Sequence, residues 1–373
     1  MKKKRIYIAG VIVLLLIVVF VFRKEMLSEK KGQEESKTLK SYEISVIEGS
    51  EQSQKSTITY YDKDLKEVKK QKLPYGALCG YVEPILYNGK VYLVAQGVFD
   101  HPSNVVLEMD LKTGEQKEYR LKNKSIITDF RIDDKNMYYV CNLNGVSYIG
   151  SVNRKTMEEK VIKIKEERKG NGSAVMELEL KDGSLYAFGD NYCQGDKIPS
   201  YIYEIDVNKF SIINTIDASK YGENCISECF QGDDMYLVYA QKGEKTELDY
   251  ICVYSLTTKK LRKINVGVKE PLQVKEHNGL IYILHSDMHD KEDTSSSITV
   301  YNPKTGKRKN IKLGRHISSI DFKNDKLYMY GSDILAIYKQ KKNHNFVLEK
   351  EKDVYTEKNG KCYYYVSGFF VRE

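Results

Sequence analysis

The chain has 373 residues, of which 41% are hydrophobic and 30% are charged, and it contains no tryptophan. Its formal net charge is +8, but residues 1–5 carry +4 of this charge and residues 23–41 carry another +2. Residues 42–373 are therefore almost neutral, which excludes nucleic acid as the expected partner.

The first predicted element is a single membrane-spanning helix. Residues 6–22 form a run of 17 residues that is apolar apart from Tyr7 and Gly10. At about 1.5 Å per residue, the run is roughly 25 Å long, which is near the lower limit for crossing a bilayer. Four positive charges precede it, and they favour a cytoplasmic N-terminus. No small-residue cleavage site follows the run, so an uncleaved anchor is favoured over a cleaved secretory signal.

A polar tether is predicted to follow the anchor. Residues 23–41 have mixed charge and no apolar periodicity, which is typical of a flexible linker. The sequence therefore predicts three parts: a cytoplasmic tail and transmembrane anchor over 1–22, a tether over 23–41, and a folded domain over 42–373. The predicted location is the cell membrane, with one span and the folded domain outside the cytoplasm.

A short turn followed by a tyrosine strand recurs through the folded domain. The tyrosines are 46, 48, 50, 46 and 46 residues apart, and they are Tyr92, Tyr138, Tyr186, Tyr236, Tyr282 and Tyr328. Each follows an Asn-Gly, Asp-Gly or related pair, and such pairs accept the positive φ angles of a tight β-hairpin. In most copies a second hairpin follows, as at residues 107–115. The unit thus has four antiparallel strands, a to d, and this length of repeat is typical of a propeller blade.

Each end of the folded domain carries part of a further unit. Residues 58–66 form a second hairpin without a first, and residues 354–363 form a first hairpin without a second. In an alternative division, residues 43–47 supply strand b and only strand a comes from the C-terminus. Both divisions predict the same fold class, an all-β, seven-bladed β-propeller closed by shared N- and C-terminal strands and preceded by one transmembrane helix.

The repeat resembles the β-propeller repeat proteins of the quinoprotein-like and YVTN-repeat class, which read N-G-x-x-Y and then D-x-x-T-G-K. The resemblance covers about residues 42–370 of the chain. Because the chain has no tryptophan, the docking tryptophans of quinoprotein dehydrogenases and the WD dipeptide are both absent. The resemblance implies a propeller and leaves the activity open.

The candidate ligand-binding residues lie near the start of innermost strand a, on the face that carries the long, irregular loops. The residue five positions before each first turn is polar in six of the seven blades. The aligned residues are Glu83, Thr128, Glu177, Glu228, Gln273, Ser319 and Val354, and Asp129 follows Thr128 directly. We therefore predict ligand binding by Glu83, Asp129, Glu177, Glu228 and Gln273, because carboxylates at a low-dielectric channel mouth favour a cation or an amine. The alternative is that these side chains are solvated or bonded to neighbouring loops.

A second candidate site is a possible metal site in the loop after residue 284. His285, Asp287 and His289 alternate along an extended segment, so their side chains point to one side and are able to bind a divalent metal. The alternative is a solvated acidic loop. No other cofactor is indicated.

The sequence predicts a non-catalytic role, in which the irregular face binds a protein, peptide or glycan at a bacterial cell surface. The alternatives are a lactonase- or lyase-like propeller enzyme that uses the channel-mouth carboxylates and a divalent metal, and an assembly or sensor subunit. Neither a Gly-x-Ser-x-Gly nucleophile elbow nor a phosphate-binding glycine loop is present in the sequence.

Overall fold

In a computed structural model of the chain, the strands form seven four-stranded antiparallel sheets. The structure describes residues 42–49, 55–80, 82–98, 101–122, 125–165, 172–192, 198–243, 245, 247–285, 296–331, 334–342, 344–354 and 365–372. Within these ranges no helix combines the length and the apolar character that crossing a membrane requires. The predicted anchor and tether lie outside the described residues.

The sheets follow one another along the chain as the blades of a propeller. Blades one to three comprise β4 (Ile85–Tyr87), β5 (Lys90–Val98), β6 (His101–Asp110) and β7 (Gln116–Arg120); β8 (Ile127–Ile132), β9 (Asn136–Leu143), β10 (Val146–Asn153) and β11 (Glu159–Lys165); and β12 (Gly172–Lys181), β13 (Ser184–Tyr192), β14 (Ser200–Asp206) and β15 (Ser211–Asp217). Blades four to six comprise β16 (Glu223–Gln231), β17 (Asp234–Gln241), β18 (Tyr250–Ser255) and β19 (Lys260–Asn265); β20 (Pro271–His277), β21 (Leu280–His285), β22 (Ser297–Tyr301) and β23 (Arg308–Lys312); and β24 (Ser319–Lys323), β25 (Lys326–Gly331), β26 (Ile334–Gln340) and β27 (Phe346–Asp353). The closing blade comprises β1 (Ile44–Gly49), β2 (Ser56–Tyr61), β3 (Glu67–Leu73) and β28 (Tyr365–Val371).

The first turns of blades one, three and five have the backbone conformation that the sequence predicts. Asn88 and Gly89 have φ angles of 50° and 71°. Asp182 and Gly183 have φ angles of 49° and 80°. Two successive positive φ angles define the tight turn whose twist matches the twist of the flanking strands. These turns therefore fix the register of strands a and b.

The ring is closed by three strands from the N-terminus and one from the C-terminus. β28 pairs antiparallel with β1, and Ile44 lies opposite Val371. The alternative division of the closing blade is therefore correct, and the hairpin predicted at 354–363 is not its contribution from the C-terminus. Val354 follows the outermost strand of blade six and is buried, so it does not start an innermost strand. Residues 355–364 lie outside the described residues.

The hydrophobic core lies between neighbouring blades. Seven clusters of buried side chains are present in the described residues, and each combines residues of two adjacent blades. Tyr92 of blade one, for example, packs with Phe130 of blade two. The tyrosines of the repeat take the same place in successive clusters, which confirms the prediction that they pack between blades. The repeat is therefore the sequence signature of the contacts between blades.

Candidate functional site

The innermost strands surround a central channel, and the candidate residues lie on its wall. One cavity of about 480 Å³ opens there. It is lined by all five residues predicted from the alignment of the blades, Glu83, Asp129, Glu177, Glu228 and Gln273. Sequence positions up to 190 residues apart thus meet in one site.

A β-bulge in four innermost strands turns these side chains towards the channel. The strand register shifts in β8, β12, β16 and β20 at the same place in each blade. The residues directly after the shift are Asp129, Glu177, Ser227 and Gln273. A bulge adds one residue and re-aims the side chains beside it. Because all four strands carry it, the bulge does not move Asp129 relative to the others. The offset arises because Asp133 and Asn136 flank the turn of blade two, so that this turn begins at Asp134, one position after the residue used for the alignment.

Three of the four residues after the bulge bind the backbone of the next blade. The bonds are from Leu178 N to Asp129 Oδ2 (2.6 Å), from Val274 N to Ser227 Oγ (3.0 Å) and from Ile320 N to Gln273 Oε1 (2.8 Å). In each case a side-chain oxygen accepts a hydrogen bond from a backbone amide in the innermost strand of the next blade. These three side chains therefore help to join neighbouring blades.

Glu177 is the exception among these residues. Within the described part of the chain, its carboxylate forms neither a hydrogen bond nor an ion pair. It shares a wall of the channel with Asp129 and Glu228, and one oxygen of each of these three residues lies within 4.8 Å of the others. Glu228 Oε2 is buried, and no described residue forms a hydrogen bond with it. The site thus contains carboxylate oxygens that the fold itself does not use.

Arg131 lies beside these carboxylates and was not predicted from the sequence. Its guanidinium contacts Asp129 Oδ1 at 2.7 Å, Glu228 Oε1 at 2.7 Å and Glu179 Oε2 at 3.0 Å. Arg131 and Glu179 each follow a predicted residue by two positions. Because side chains alternate along a strand, this spacing places them on the same wall, and the alternation is the sequence signal that would have found them.

A second charged cluster lies on the opposite part of the wall. Lys275 Nζ lies 2.9 Å from Glu83 Oε2, and Gln273 Nε2 donates to Glu83 Oε1 at 2.8 Å. Burial alone would lower the pKa of Lys275, but the charges of Glu83 and Asp321 outweigh it and raise that pKa. Glu83 therefore binds both Gln273 and Lys275, and within the described residues it forms no ion pair with Arg131.

Carboxyl groups outnumber cationic side chains around the cavity. Its lining includes the five carboxyl groups of Glu83, Asp129, Glu177, Glu179 and Glu228, but only the two cations Arg131 and Lys275. Burial raises the pKa of Glu228 to about 8, and the charges of Glu179 and Asp129 act in the same direction. Burial, with the charges of Asp129 and Glu228, also raises the pKa of Glu177 well above its ordinary value. The site therefore favours a proton or another cation.

The predicted metal site after residue 284 loses one ligand in the structure. His285 is 2% exposed. Its Nδ1 donates to the carbonyl of Lys269 at 3.0 Å, and its Nε2 lies 2.8 Å from Thr299 Oγ1. Both ring nitrogens are thus bonded within blade five, which leaves neither for a metal. Asp287 and His289 lie outside the described residues, and metal binding by them stays a prediction.

The irregular face is described only in part. The first residues of strand a and the loops between strands b and c meet there, and the channel mouth opens among them. Residues 99–100, 193–197 and 286–295, which belong to these loops, lie outside the described residues. Binding of a protein, peptide or glycan at this face therefore stays a prediction.

Comparison with known proteins supports the architecture. No family model matches the chain, and no curated protein matches it. A candidate 6-phosphogluconolactonase from Bacteroides fragilis NCTC 9343 is 11% identical, with a TM-score of 0.58 over 89% of this chain and 98% of that one. These similarities show the fold alone.

Two further solved structures have the same arrangement. A candidate 6-phosphogluconolactonase from Bacteroides uniformis ATCC 8492 is 14% identical, with a TM-score of 0.53 over 82% of this chain and 94% of that one. Hsv2 of Kluyveromyces lactis is 11% identical, with a TM-score of 0.52 over 84% of this chain and 100% of that one. Proteins with different names thus share this architecture, so fold similarity does not assign an activity.

Proposed function

We propose that the chain is a membrane-anchored, extracytoplasmic propeller that binds a protein, peptide or glycan at its irregular face, and that a positively charged group of the ligand enters the channel mouth. The observation that carries this proposal is the charge of the cavity, which is lined by five carboxyl groups and two cations. Both cations are already paired with carboxylates of the wall. A ligand that brings positive charge would relieve the repulsion that remains.

The surroundings of the site strengthen this preference. Glu228 and Asp129 have side chains that are 3% and 5% exposed. Charges in such surroundings are poorly screened by water, so their attraction for a cation is stronger than it would be on an open surface. An ammonium group, as in lysine or an amino sugar, has the charge and the three hydrogen-bond donors that the free carboxylate oxygens accept.

The membrane anchor is the second part of the proposal. It is supported by the apolar run of residues 6–22 and by the four positive charges before it. Such a run with that charge bias favours a single span with the following domain outside the cytoplasm. The tether of residues 23–41 would then hold the propeller away from the membrane surface.

Binding of two peptides of opposite charge tests the ligand class. The full chain, kept in a mild detergent, is titrated with a lysine-rich peptide and with a glutamate-rich peptide of the same length. We expect binding of the lysine-rich peptide alone. The triple variant Glu83→Gln, Glu177→Gln and Glu228→Gln should bind it at least tenfold more weakly.

A matched variant separates the channel from the overall charge. Glu67, Glu115 and Glu349 are exposed and lie away from the channel, so their triple change to glutamine alters the net charge equally. We expect this control to change affinity by less than threefold. Equal losses in the two triple variants, or no binding of the lysine-rich peptide, would overturn the proposal.

A second candidate function is metal-dependent hydrolysis, for example of a lactone. It is favoured by the three carboxylates of Asp129, Glu177 and Glu228 together with the fold shared with the candidate 6-phosphogluconolactonases. A phosphorylated substrate fits poorly, because Arg131 and Lys275 are both paired with carboxylates. Turnover of an uncharged sugar lactone in the presence of a divalent metal, lost in Glu177→Gln, would favour this function over binding alone.

A further inference from the structure

We propose that Asp129, Glu177 and Glu228 bind one Ca²⁺ ion at the channel mouth. One carboxylate oxygen of each residue lies within 4.8 Å of the oxygens of the other two. The inference rests on the proposed function, because it names the cation that this site holds when no ligand group is present. Ca²⁺ and a cationic ligand would then compete for the same oxygens.

An unpartnered buried oxygen distinguishes this site from an ordinary acidic cluster. Glu228 Oε2 is buried and has no hydrogen-bond partner among the residues that the structure describes, and the Glu228 side chain as a whole is only 3% exposed. Its other oxygen, Oε1, is held by Arg131 at 2.7 Å. Native proteins rarely leave a buried acceptor without a partner, and a bound ion is one of the explanations for such a group.

The comparison of blades points to Glu177 in the same way. Asp129, Ser227 and Gln273 take the equivalent place after the bulge, and each accepts a backbone hydrogen bond from the next blade. Glu177 has no such bond within the described residues, although it lines the cavity. Its carboxylate is therefore not needed to join the blades and is available to a ligand.

Arg131 orients this set of oxygens and does not occupy it. The guanidinium contacts Asp129 Oδ1 and Glu228 Oε1, and it forms an ion pair with Glu179. It forms no ion pair with Glu177 within the described residues. Three carboxylates thus share one guanidinium, and Glu177 is a fourth carboxylate beside them. A divalent cation would offset the charge of the four ionised carboxylates without reversing it.

The donor atoms and their spacing favour Ca²⁺. The set consists of carboxylate oxygens, which are the ligands of hard cations. Ca²⁺ binds oxygen at about 2.3–2.6 Å, so two ligands on opposite sides of it are about 5 Å apart. Oxygens that all lie within 4.8 Å of one another are close enough to bind one such ion. Mg²⁺ binds at about 2.1 Å and requires opposite oxygens to approach to about 4.2 Å.

Calorimetric titration of the full chain in detergent tests the assignment. The protein is freed of metal with EGTA and titrated with CaCl₂ and, separately, with MgCl₂. We expect one Ca²⁺ per chain with a Kd between about 10⁻⁵ and 10⁻³ M, and Mg²⁺ binding at least tenfold weaker. Glu177→Gln and Glu228→Gln should each weaken Ca²⁺ binding at least tenfold.

Glu83→Gln is the matched control, because Glu83 lines the same cavity but is bound to Gln273 and Lys275. We expect it to change the Ca²⁺ affinity by less than threefold. Glu177→Gln removes no contact of the described fold, so its circular dichroism should match that of the parent. Absence of a Ca²⁺ heat, or a Ca²⁺ affinity that is unchanged in Glu177→Gln, would overturn the assignment.

The lysine-rich peptide distinguishes this inference from the proposed function. Suppose that the full chain binds the peptide in EGTA, but that its calorimetric titration with CaCl₂ shows no heat of binding. This result would overturn the Ca²⁺ site and leave the proposed function standing. A Ca²⁺ heat without any peptide binding would support the Ca²⁺ site and contradict the proposed ligand class. If both bind, saturating Ca²⁺ should weaken the peptide several-fold, and an unchanged peptide affinity would count against the shared site.

Discussion

Arg131 of blade two forms an ion pair with Glu228 of blade four, with 2.7 Å between Nη2 and Oε1. The two residues are 97 positions apart in the chain. Glu179 of blade three lies between them and contacts the same guanidinium at 3.0 Å. One side chain thus joins three successive blades on the channel wall, at the point where a cation is proposed to bind.

Removal of this guanidinium should destabilise the propeller strongly. Arg131→Met leaves Asp129, Glu179 and Glu228 without their shared cation, and loss of one partner of a buried ion pair costs about 3–5 kcal/mol. Urea denaturation measures the change in the free energy of unfolding. Arg120→Met is the control, because Arg120 is 69% exposed and its ion pair in the described part of the chain is with the surface residue Glu118; it should cost less than about 1 kcal/mol. Similar losses in the two variants would contradict the structural role of Arg131.

Glu228 should make the metal-free protein less stable as the pH rises from about 4.5 to 8. The pKa of Glu228 is raised from an ordinary value of 4.5 to about 8 in the folded protein. Between these values the folded state holds a proton that the unfolded state has released, so the free energy of unfolding decreases with pH. The effect of this group alone is at most about 5 kcal/mol, since one pKa unit corresponds to about 1.4 kcal/mol.

Urea denaturation in EGTA at several pH values measures this effect. Glu228→Gln cannot be deprotonated, so its stability should vary less with pH over the same range. The exposed carboxylate of Glu118 provides a control, because Glu118→Gln should leave the pH dependence of the parent unchanged. An identical pH dependence in the parent and in Glu228→Gln would show that Glu228 is charged in the folded protein throughout this range.

His285 should make the protein less stable on the acid side. Burial lowers the pKa of His285 from 6.5 to about 4, against a small opposing effect of its bond to the Lys269 carbonyl. The neutral ring is thus favoured in the folded state, so this stability is complete above pH 6.5 and is lost as the pH falls towards 4. The loss amounts to about 3 kcal/mol.

The free energy of unfolding is measured against pH for the parent and for His285→Gln, and the difference between the two slopes isolates this contribution. The variant is less stable at neutral pH, because it loses bonds to Lys269 and Thr299, but between pH 6.5 and 4 it should lose less stability than the parent. His344→Asn, on an exposed turn with a φ of 62°, is the control and should follow the parent. Equal acid slopes in all three proteins would argue against a buried neutral His285.

The repeat predicted the fold because it records the contacts between blades. Tyr92 and its counterparts recur at nearly equal spacing, and each fills the same place between two sheets. The turns were also predictable. Asn tolerates a positive φ and Gly, which has no Cβ, adopts it without strain, and Asn88 and Gly89 both have positive φ. The turn residues and the packing of the tyrosines point to the same fold, so the sequence of this chain predicts the propeller.

The site was only partly predictable. Alignment on the turns found Glu177 and Glu228, but it could not show that Arg131 pairs with one of them and not with the other. That distinction depends on a single position: Glu177 directly follows the bulge of its strand, whereas Glu228 lies one position further on, after Ser227. The division of the closing blade was ambiguous because residues 43–47 and residues 354–363 both have strand-like patterns. The pairing of β1 with β28 (Tyr365–Val371) shows that the N-terminal segment contributes a strand to this blade.

The closing blade gives the last prediction. A chain that ends at residue 364 lacks β28, which leaves the edge of β1 unpaired and removes Phe370, a residue that is 2% exposed in the core between the closing blade and blade one. An open edge pairs readily with other chains, so we expect loss of a single cooperative unfolding transition and concentration-dependent association. Urea denaturation and analytical ultracentrifugation measure the two effects.

A milder change distinguishes the effect of the unpaired strand edge from the effect of the lost core side chain. Phe370→Ala keeps β28 and should cost about 3–5 kcal/mol without association, because the β1–β28 ladder is retained. A chain that ends at Arg372 also keeps the whole of β28 and should match the parent in both measurements. If the chain that ends at 364 unfolded as cooperatively as the parent and stayed monomeric, the closing strand would not be what holds the two ends together, and closure would have to come from the contacts between blades alone.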